Sequence, residues 1–187
     1  MSRIRCFAAV PTPLPIIERI TALMTDFRSV SSDVKWEPTE KLHITLKFLG
    51  SIEESHLQPL VDLLKQKMQT VSQFEYKYEG IGAFPHLHHP RVYWIGTSEN
   101  HALIHLHGTV EQVSRSFSVA NDDKPFHPHV TIGRVKSLRG INLLTARVKS
   151  VTFEPVAARC SEILLMRSDL EPTGSRYSVL SRIPLNL

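Results

Sequence analysis

The chain has 187 residues, 42% hydrophobic and 21% charged, so it can bury a real core and fits one soluble unit of one or two small lobes. Its net charge of +4 is dispersed: it suits a polyanionic substrate but contains no Lys/Arg block that would make a dedicated nucleic-acid arm. No stretch approaches a membrane span, the first ten residues lack the apolar core of a signal peptide, and Cys6 and Cys160 make neither a metal motif nor a disulfide framework, which reads as a cytoplasmic protein with two structural thiols.

In chain order, Arg3 to Val10 reads as a strand closed by the turn-forming run Pro11-Thr12-Pro13. Ile16, Ile17, Ile20, Leu23, Met24 and Phe27 recur at helical spacing and predict a helix from Leu14 to Arg28. Trp36 and the run Leu42 to Leu49 read as extended. Ser51 followed by Glu54 has the form of a capping box, ahead of a helix that uses Leu57, Leu60, Val61, Leu64 and Met68. Pro59 lacks a backbone donor and should kink or delay that helix.

Strands follow at Phe74 to Ile81 and Arg91 to Gly96, then an amphipathic helix over Glu99 to Phe117 with Leu103, Leu106, Val110, Val113 and Phe117 on one face. The tail predicts strands at Ser150 to Phe153, Ser161 to Arg167 and Tyr177 to Ile183. Strands and helices alternate without a glycine-rich dinucleotide fingerprint, and hairpin-like pairs occur, so the class is α+β.

One tetrapeptide pattern occurs twice: His43-Ile44-Thr45-Leu46 and His129-Val130-Thr131-Ile132. On a strand, each His and Thr share one face and the apolar pair anchors the other. Two imidazoles in matched settings suit paired acid–base chemistry, because an unperturbed ring titrates near pH 6.5 and can be donor or acceptor at neutrality. The threonine hydroxyls can hold phosphoryl oxygens or orient the rings. Such a design requires no cofactor and no metal. The order strand, helix, His-Thr strand, helix repeats in degenerate form and suggests two similar lobes that bring both motifs to one cleft.

The segments His43-Ile-Thr-Leu-Lys-Phe-Leu-Gly50 and Phe126-His-Pro-His-Val-Thr-Ile-Gly-Arg134 resemble the two signature motifs of the two-histidine (2H) phosphoesterases, nearest the RNA 2′,3′-cyclic phosphodiesterase or 2′-5′ RNA ligase branch. Arg91-Val-Tyr-Trp94 and Ser168 … Pro172 … Gly174 … Tyr177 fall where that branch has similar segments, so the likeness spans nearly the whole chain. The resemblance implies a single bilobal domain over residues 1–187, with two pseudo-symmetric lobes of antiparallel sheet and outer helices around a central cleft. It implies hydrolysis of a terminal 2′,3′-cyclic phosphate to a 2′-phosphate, with one histidine as acid and the other as base; His43 is assigned as the acid and His129 as the base, and the sequence leaves their order open. Thr45 and Thr131 would hold the non-bridging oxygens. The reverse direction would join a 2′-phosphate end to a 5′-hydroxyl. The implied partner is RNA or a nucleotide with a cyclic phosphate end, acted on by a monomer without an obligate protein partner.

Two further residues are implied with tension against strand geometry. Arg134 would clamp the phosphate, yet on a flat strand it has the opposite parity to His129 and faces away unless Gly133 permits a bulge. Phe48 would stack on a base, yet parity puts it with Ile44 and Leu46 in the core unless the strand ends first. His127 shares parity with His129 and could contact phosphate or ribose. His86, His88 and His89 in a Pro-bounded loop, and His101, His105 and His107 on a helix, read as solvated positions, because no suitably spaced carboxylate completes a metal site. The rivals are an RNA-end-binding module without turnover and a phosphodiesterase for another small cyclic phosphate, such as ADP-ribose 1″,2″-cyclic phosphate.

Overall fold

The computed structural model describes residues 2–172 and 174–187. It contains β1 (Arg3–Pro11), α1 (Leu14–Arg28), β2 (Val34–Trp36), β3 (His43–Glu53), α2 (Leu57–Met68), β4 (Phe74–Phe84) and β5 (Val92–Thr97). These are followed by α3 (His101–Arg115), β6 (His129–Val135), α4 (Ile141–Lys149), β7 (Val156–Cys160), β8 (Glu162–Glu171) and β9 (Gly174–Pro184). The strands form one antiparallel sheet in the order β7-β4-β5-β6-β3-β1-β8-β9, with β2 also paired to β6.

The two halves of this sheet meet where β3 touches β6, through the single pair Ile44 and Val130. Each half is a lobe, with β3, β1, β8 and β9 in the first and β6, β5, β4, β7 and β2 in the second. The helices are exchanged between them. α1 leaves the first lobe and packs beside α4, where Arg147 donates to Asp26 at 2.7 and 2.9 Å. α3 leaves the second lobe and packs against α2 and β3. Helix side chains such as Ile20, Met24, Leu64 and Leu106 are fully buried with one face of the sheet, and this is the main core. The other face carries a small second cluster of Phe7, Ala9, Leu164 and Met166 with Tyr177.

Two expectations from sequence fail locally, whereas the delay of the second helix ahead of Pro59 is met. The predicted capping box at Ser51 is absent, because β3 runs on to Glu53 and the chain makes a single 3₁₀ turn, Glu54–His56, before α2. Pro59 then falls in the first turn of α2, where its missing N–H would have had no helical partner. Ser150 to Phe153 is not a strand. The chain leaves α4 there, and the strand comes later, at β7.

Candidate active site

β3 and β6 run antiparallel through Ile44 and Val130, and extending that register by one residue sets His43 across from Thr131 and Thr45 across from His129. Ile44 and Val130 are completely buried, whereas the two histidines and two threonines are half-buried on the face away from the helices. The four polar groups form a square about a pseudo-twofold axis through the Ile44–Val130 pair.

Each strand breaks its alternation at the same point after its threonine. Along β3, Ala9 of β1 opposes Thr45 and Ala8 opposes Lys47, which leaves Leu46 as an extra residue. Along β6, Trp94 of β5 opposes Thr131 and Tyr93 opposes Gly133, which leaves Ile132 extra. Leu46 and Lys47 are both buried, and so are Ile132 and Gly133. These are β-bulges, and each resets which residues face the cleft.

Phe48 and Arg134 therefore turn to the same face as the histidines. This corrects the parity expectation for both: Phe48 is 58% exposed rather than packed in the core, and Arg134 does not face away. Gly133 is needed there because a Cβ would come within 2.9 Å of the Trp36 and Val34 side chains. Arg134 Nε donates to Glu37 Oε1 at 2.9 Å, and Glu37 is well buried. Glu37 was not legible in the sequence, since it follows a strand of only three residues and nothing marks its partner.

Both imidazoles are oriented by the backbone two residues upstream. The His129 Nδ1–H donates to the His127 carbonyl at 2.6 Å, and His43 hydrogen-bonds the Lys41 backbone. With Nδ1 so engaged, His129 has Nε2 left for chemistry. Each ring also rests on an aromatic wall. Phe7 stacks on His43 at 5.0 Å and Tyr177 meets it edge-on at 5.7 Å. Phe84 meets His129 edge-on at 4.9 Å, with Trp94 at 6.3 Å.

These walls desolvate the rings. Burial pushes His43 down from 6.5 to about 4, with the Lys41 hydrogen bond opposing and His129 adding to the fall. His129 is also lowered, first by burial, with His127 and Arg134 contributing and the hydrogen bond to the His127 backbone opposing. The resting pair is neutral at neutral pH, ready to take a proton when an anion enters.

His127 is exposed, and its ring stands 6.1 Å from that of His129 and 4.9 Å from Trp94, so it borders the cleft. His86, His88 and His89 cluster in a loop, with ring centroids of His86 5.7–6.0 Å from the other two. His101 and His105 are exposed, as expected, but His107 is buried and stacks on Phe126 at 4.2 Å. Contrary to the sequence reading, carboxylates do approach His107: its ring, Glu111 and Asp122 place ligand-type atoms within 4.8 Å of one another.

That cluster lies behind β3 and is centred on a cation of the chain itself. Lys47, buried by the bulge, places Nζ 3.2 Å from Glu111 and 3.0 Å from Asp122. The Glu111 carboxylate also accepts the Asp122 backbone N–H at 2.9 Å, which ties the loop leading into the second motif to the strand of the first. Glu111→Leu leaves the buried ammonium with Asp122 alone, removes the acceptor of the Asp122 N–H, and is expected to cost about 2 kcal/mol in urea unfolding. An unchanged midpoint would contradict this account of the network.

Facing His-x-Thr strands between two pseudo-symmetric lobes define the two-histidine phosphoesterase fold. Residues 12–172 match the family model of the 2′-5′ RNA ligase superfamily, and the chain belongs to that family. It is 33% identical over 177 residues to the RNA 2′,3′-cyclic phosphodiesterase of Archaeoglobus fulgidus, covering 94% of this chain and 97% of the relative. It is 31% identical over 179 residues to the protein of the same name from Methanocaldococcus jannaschii, covering 94% and 98%. Among solved structures, a Thermus thermophilus protein superposes with a TM-score of 0.80 at 26% identity, over 97% of this chain and 98% of that one. E. coli LigT complexed with 3′-AMP superposes with a TM-score of 0.79 over the whole of both chains, at 24% identity, a likeness of fold.

Proposed function

We propose that the protein, acting as one bilobal unit, hydrolyses terminal 2′,3′-cyclic phosphates of RNA to 2′-phosphates by metal-independent acid–base catalysis. The observation that carries this reading is the square of His43, Thr45, His129 and Thr131 set by the Ile44–Val130 register. The relatives named RNA 2′,3′-cyclic phosphodiesterase support the same reading.

The exposed Phe48 ring lies on the His43 side of the cleft, and Arg134 on the His129 side. A terminal base stacked on Phe48 brings its ribose O3′ toward His43. His129 then takes a proton from water as the water oxygen bonds to phosphorus. The P–O3′ bond breaks, and the His43 imidazolium gives its proton to O3′. Thr45 and Thr131 donate to the non-bridging oxygens, and Arg134, held by Glu37, balances the charge that builds on them. His127 contributes its carbonyl to the orientation of His129, and its ring borders the phosphate. With a 5′-hydroxyl in place of water, the same steps form a 2′-5′ phosphodiester and release a 3′-hydroxyl.

The protein is read as a monomer that needs no protein partner. Two buried, unpaired thiols support a reducing, cytoplasmic setting. Among the described residues, no helix is long and apolar enough to cross a membrane. The test is incubation with nucleoside 2′,3′-cyclic phosphates in the presence of EDTA. Turnover is expected at the same rate with and without the chelator. A loss that zinc or manganese restores would overturn the metal-independent mechanism, and binding without any turnover would leave an RNA-end-binding module.

A further inference from the structure

Beyond Phe48, on the side away from the histidines, the concave face of the first lobe holds a recess of about 200 Å³ bordered by Arg5, Phe7, Phe48, Gly50, Ser51 and Ser168. Its place follows from register. Along β1, Pro11 opposes His43, Ala9 opposes Thr45, Phe7 opposes Phe48 and Arg5 opposes Ser51. A ligand extending from the histidines along this lobe thus passes the Phe7 and Phe48 rings before it reaches Arg5. From Ala9 to Arg5 is about 13 Å of backbone at the rise of a strand, so Arg5 is anchored beyond the two rings as seen from the histidines.

The strand is shaped to open this space. A second bulge leaves Leu49 unpaired in the register, and Gly50 adopts φ +69° with nothing within 4 Å of where a Cβ would sit. A left-handed backbone at that position favours glycine, and the missing side chain leaves the recess free. The charges differ along the same wall. Arg3 is paired with Glu53, and Arg134 across the cleft with Glu37. Among the described residues Arg5 has no acidic partner, although it is exposed on the face that carries Phe7. Tyr177, whose hydroxyl burial holds above its usual range, is within electrostatic reach of both Arg134 and Arg5.

A free guanidinium one step beyond an exposed aromatic ring is the arrangement that tracks a single strand of nucleic acid, with bases on the rings and the backbone on the cation. We propose that this recess is a subsite for the penultimate nucleotide of an RNA 3′ end, with Arg5 on the phosphodiester that joins it to the terminal one. This rests on the cyclic phosphodiesterase reading above and adds a specificity to it. The protein selects the ends of chains over cyclic mononucleotides, and its RNA runs from the histidines along the first lobe. The second lobe offers less: its aromatic rings Phe84 and Trp94 are packed against each other and against the histidines, and neither is exposed as Phe48 is.

The experiment compares kcat/KM for adenosine 2′,3′-cyclic phosphate with that for the dinucleotide ApA ending in a 2′,3′-cyclic phosphate. The wild-type protein is expected to favour the dinucleotide by about tenfold, the value of one charge-assisted phosphate contact. Arg5→Gln should remove that preference while leaving the mononucleotide rate unchanged, and Arg5→Lys should keep part of it. Added salt should erode the preference as well. Equal wild-type rates on the two substrates, or an equal loss on both in Arg5→Gln, overturn the subsite and leave the catalytic reading standing. Hydrolysis of neither substrate overturns the catalytic reading, and the subsite falls with it.

Discussion

His129→Ala is expected to lower kcat by about 10³-fold or more, the contribution of a positioned proton-transfer group, with KM little changed. His43→Ala should do the same, for the complementary reason. In the first variant nothing takes the proton from water, and in the second nothing supplies one to O3′. Because the two transfers serve one step, the double variant should be only slightly worse than either single. Neither change should unfold the protein, since both rings sit at the surface of the core and the strands are anchored by Ile44 and Val130 beneath them. Circular dichroism and a thermal melt would accompany the kinetics. A single variant that retains near-wild-type turnover would contradict the paired assignment.

The pH profile follows from the depressed histidines. The active form of the free enzyme carries one imidazolium and one neutral imidazole. Its population peaks between the two titrations, and both lie below 6.5, with His43 near 4. kcat/KM should therefore be bell-shaped with its maximum on the acid side of 6.5. Above the higher titration it should fall tenfold per pH unit, about a hundredfold over two units. Arg134 is one of the groups that lowers His129, so Arg134→Gln should move the limb set by the His129 titration upward as well as weaken substrate binding. A profile that is flat from pH 5 to 9, or that peaks above 8, would contradict this electrostatic picture.

The same pKa shifts act on stability. Between about pH 4 and 6.5 the unfolded chain binds a proton at His43 that the folded chain does not. That contribution is complete above 6.5 and is lost as pH falls through the window.

The histidines and threonines were legible in the sequence because a period of two is a local property of a strand and the pattern occurs twice. The orientation of Phe48 and Arg134 was not. Each depends on one unpaired residue, Leu46 or Ile132, and a bulge is set by the neighbouring strand's hydrogen bonds rather than by the sequence around it. Gly133 hinted at one bulge. Nothing around Leu46 hinted at the other, although the two are equivalent under the pseudo-twofold axis.

The helix α4 was within reach. Ile141, Leu144 and Val148 are spaced as a buried helical face, and Gly140, whose φ is +70°, marks its start. The Lys47 network was out of reach, because it brings together residues from a strand, a helix and a loop far apart in sequence.

The first motif thus presents a ring at the position where the second presents a cation, and in the proposed mechanism this asymmetry sets the direction of the reaction. That mechanism puts the nucleoside on the Phe48 side and O3′ by His43, so that O3′ leaves with a proton and phosphate stays on O2′. The most direct measurement is phosphorus NMR of the product formed from a nucleoside 2′,3′-cyclic phosphate, with both authentic phosphomonoesters for comparison. The expected result is the 2′-phosphate alone. Accumulation of the 3′-phosphate would contradict the assignment of His43 to O3′ and, with it, the central claim.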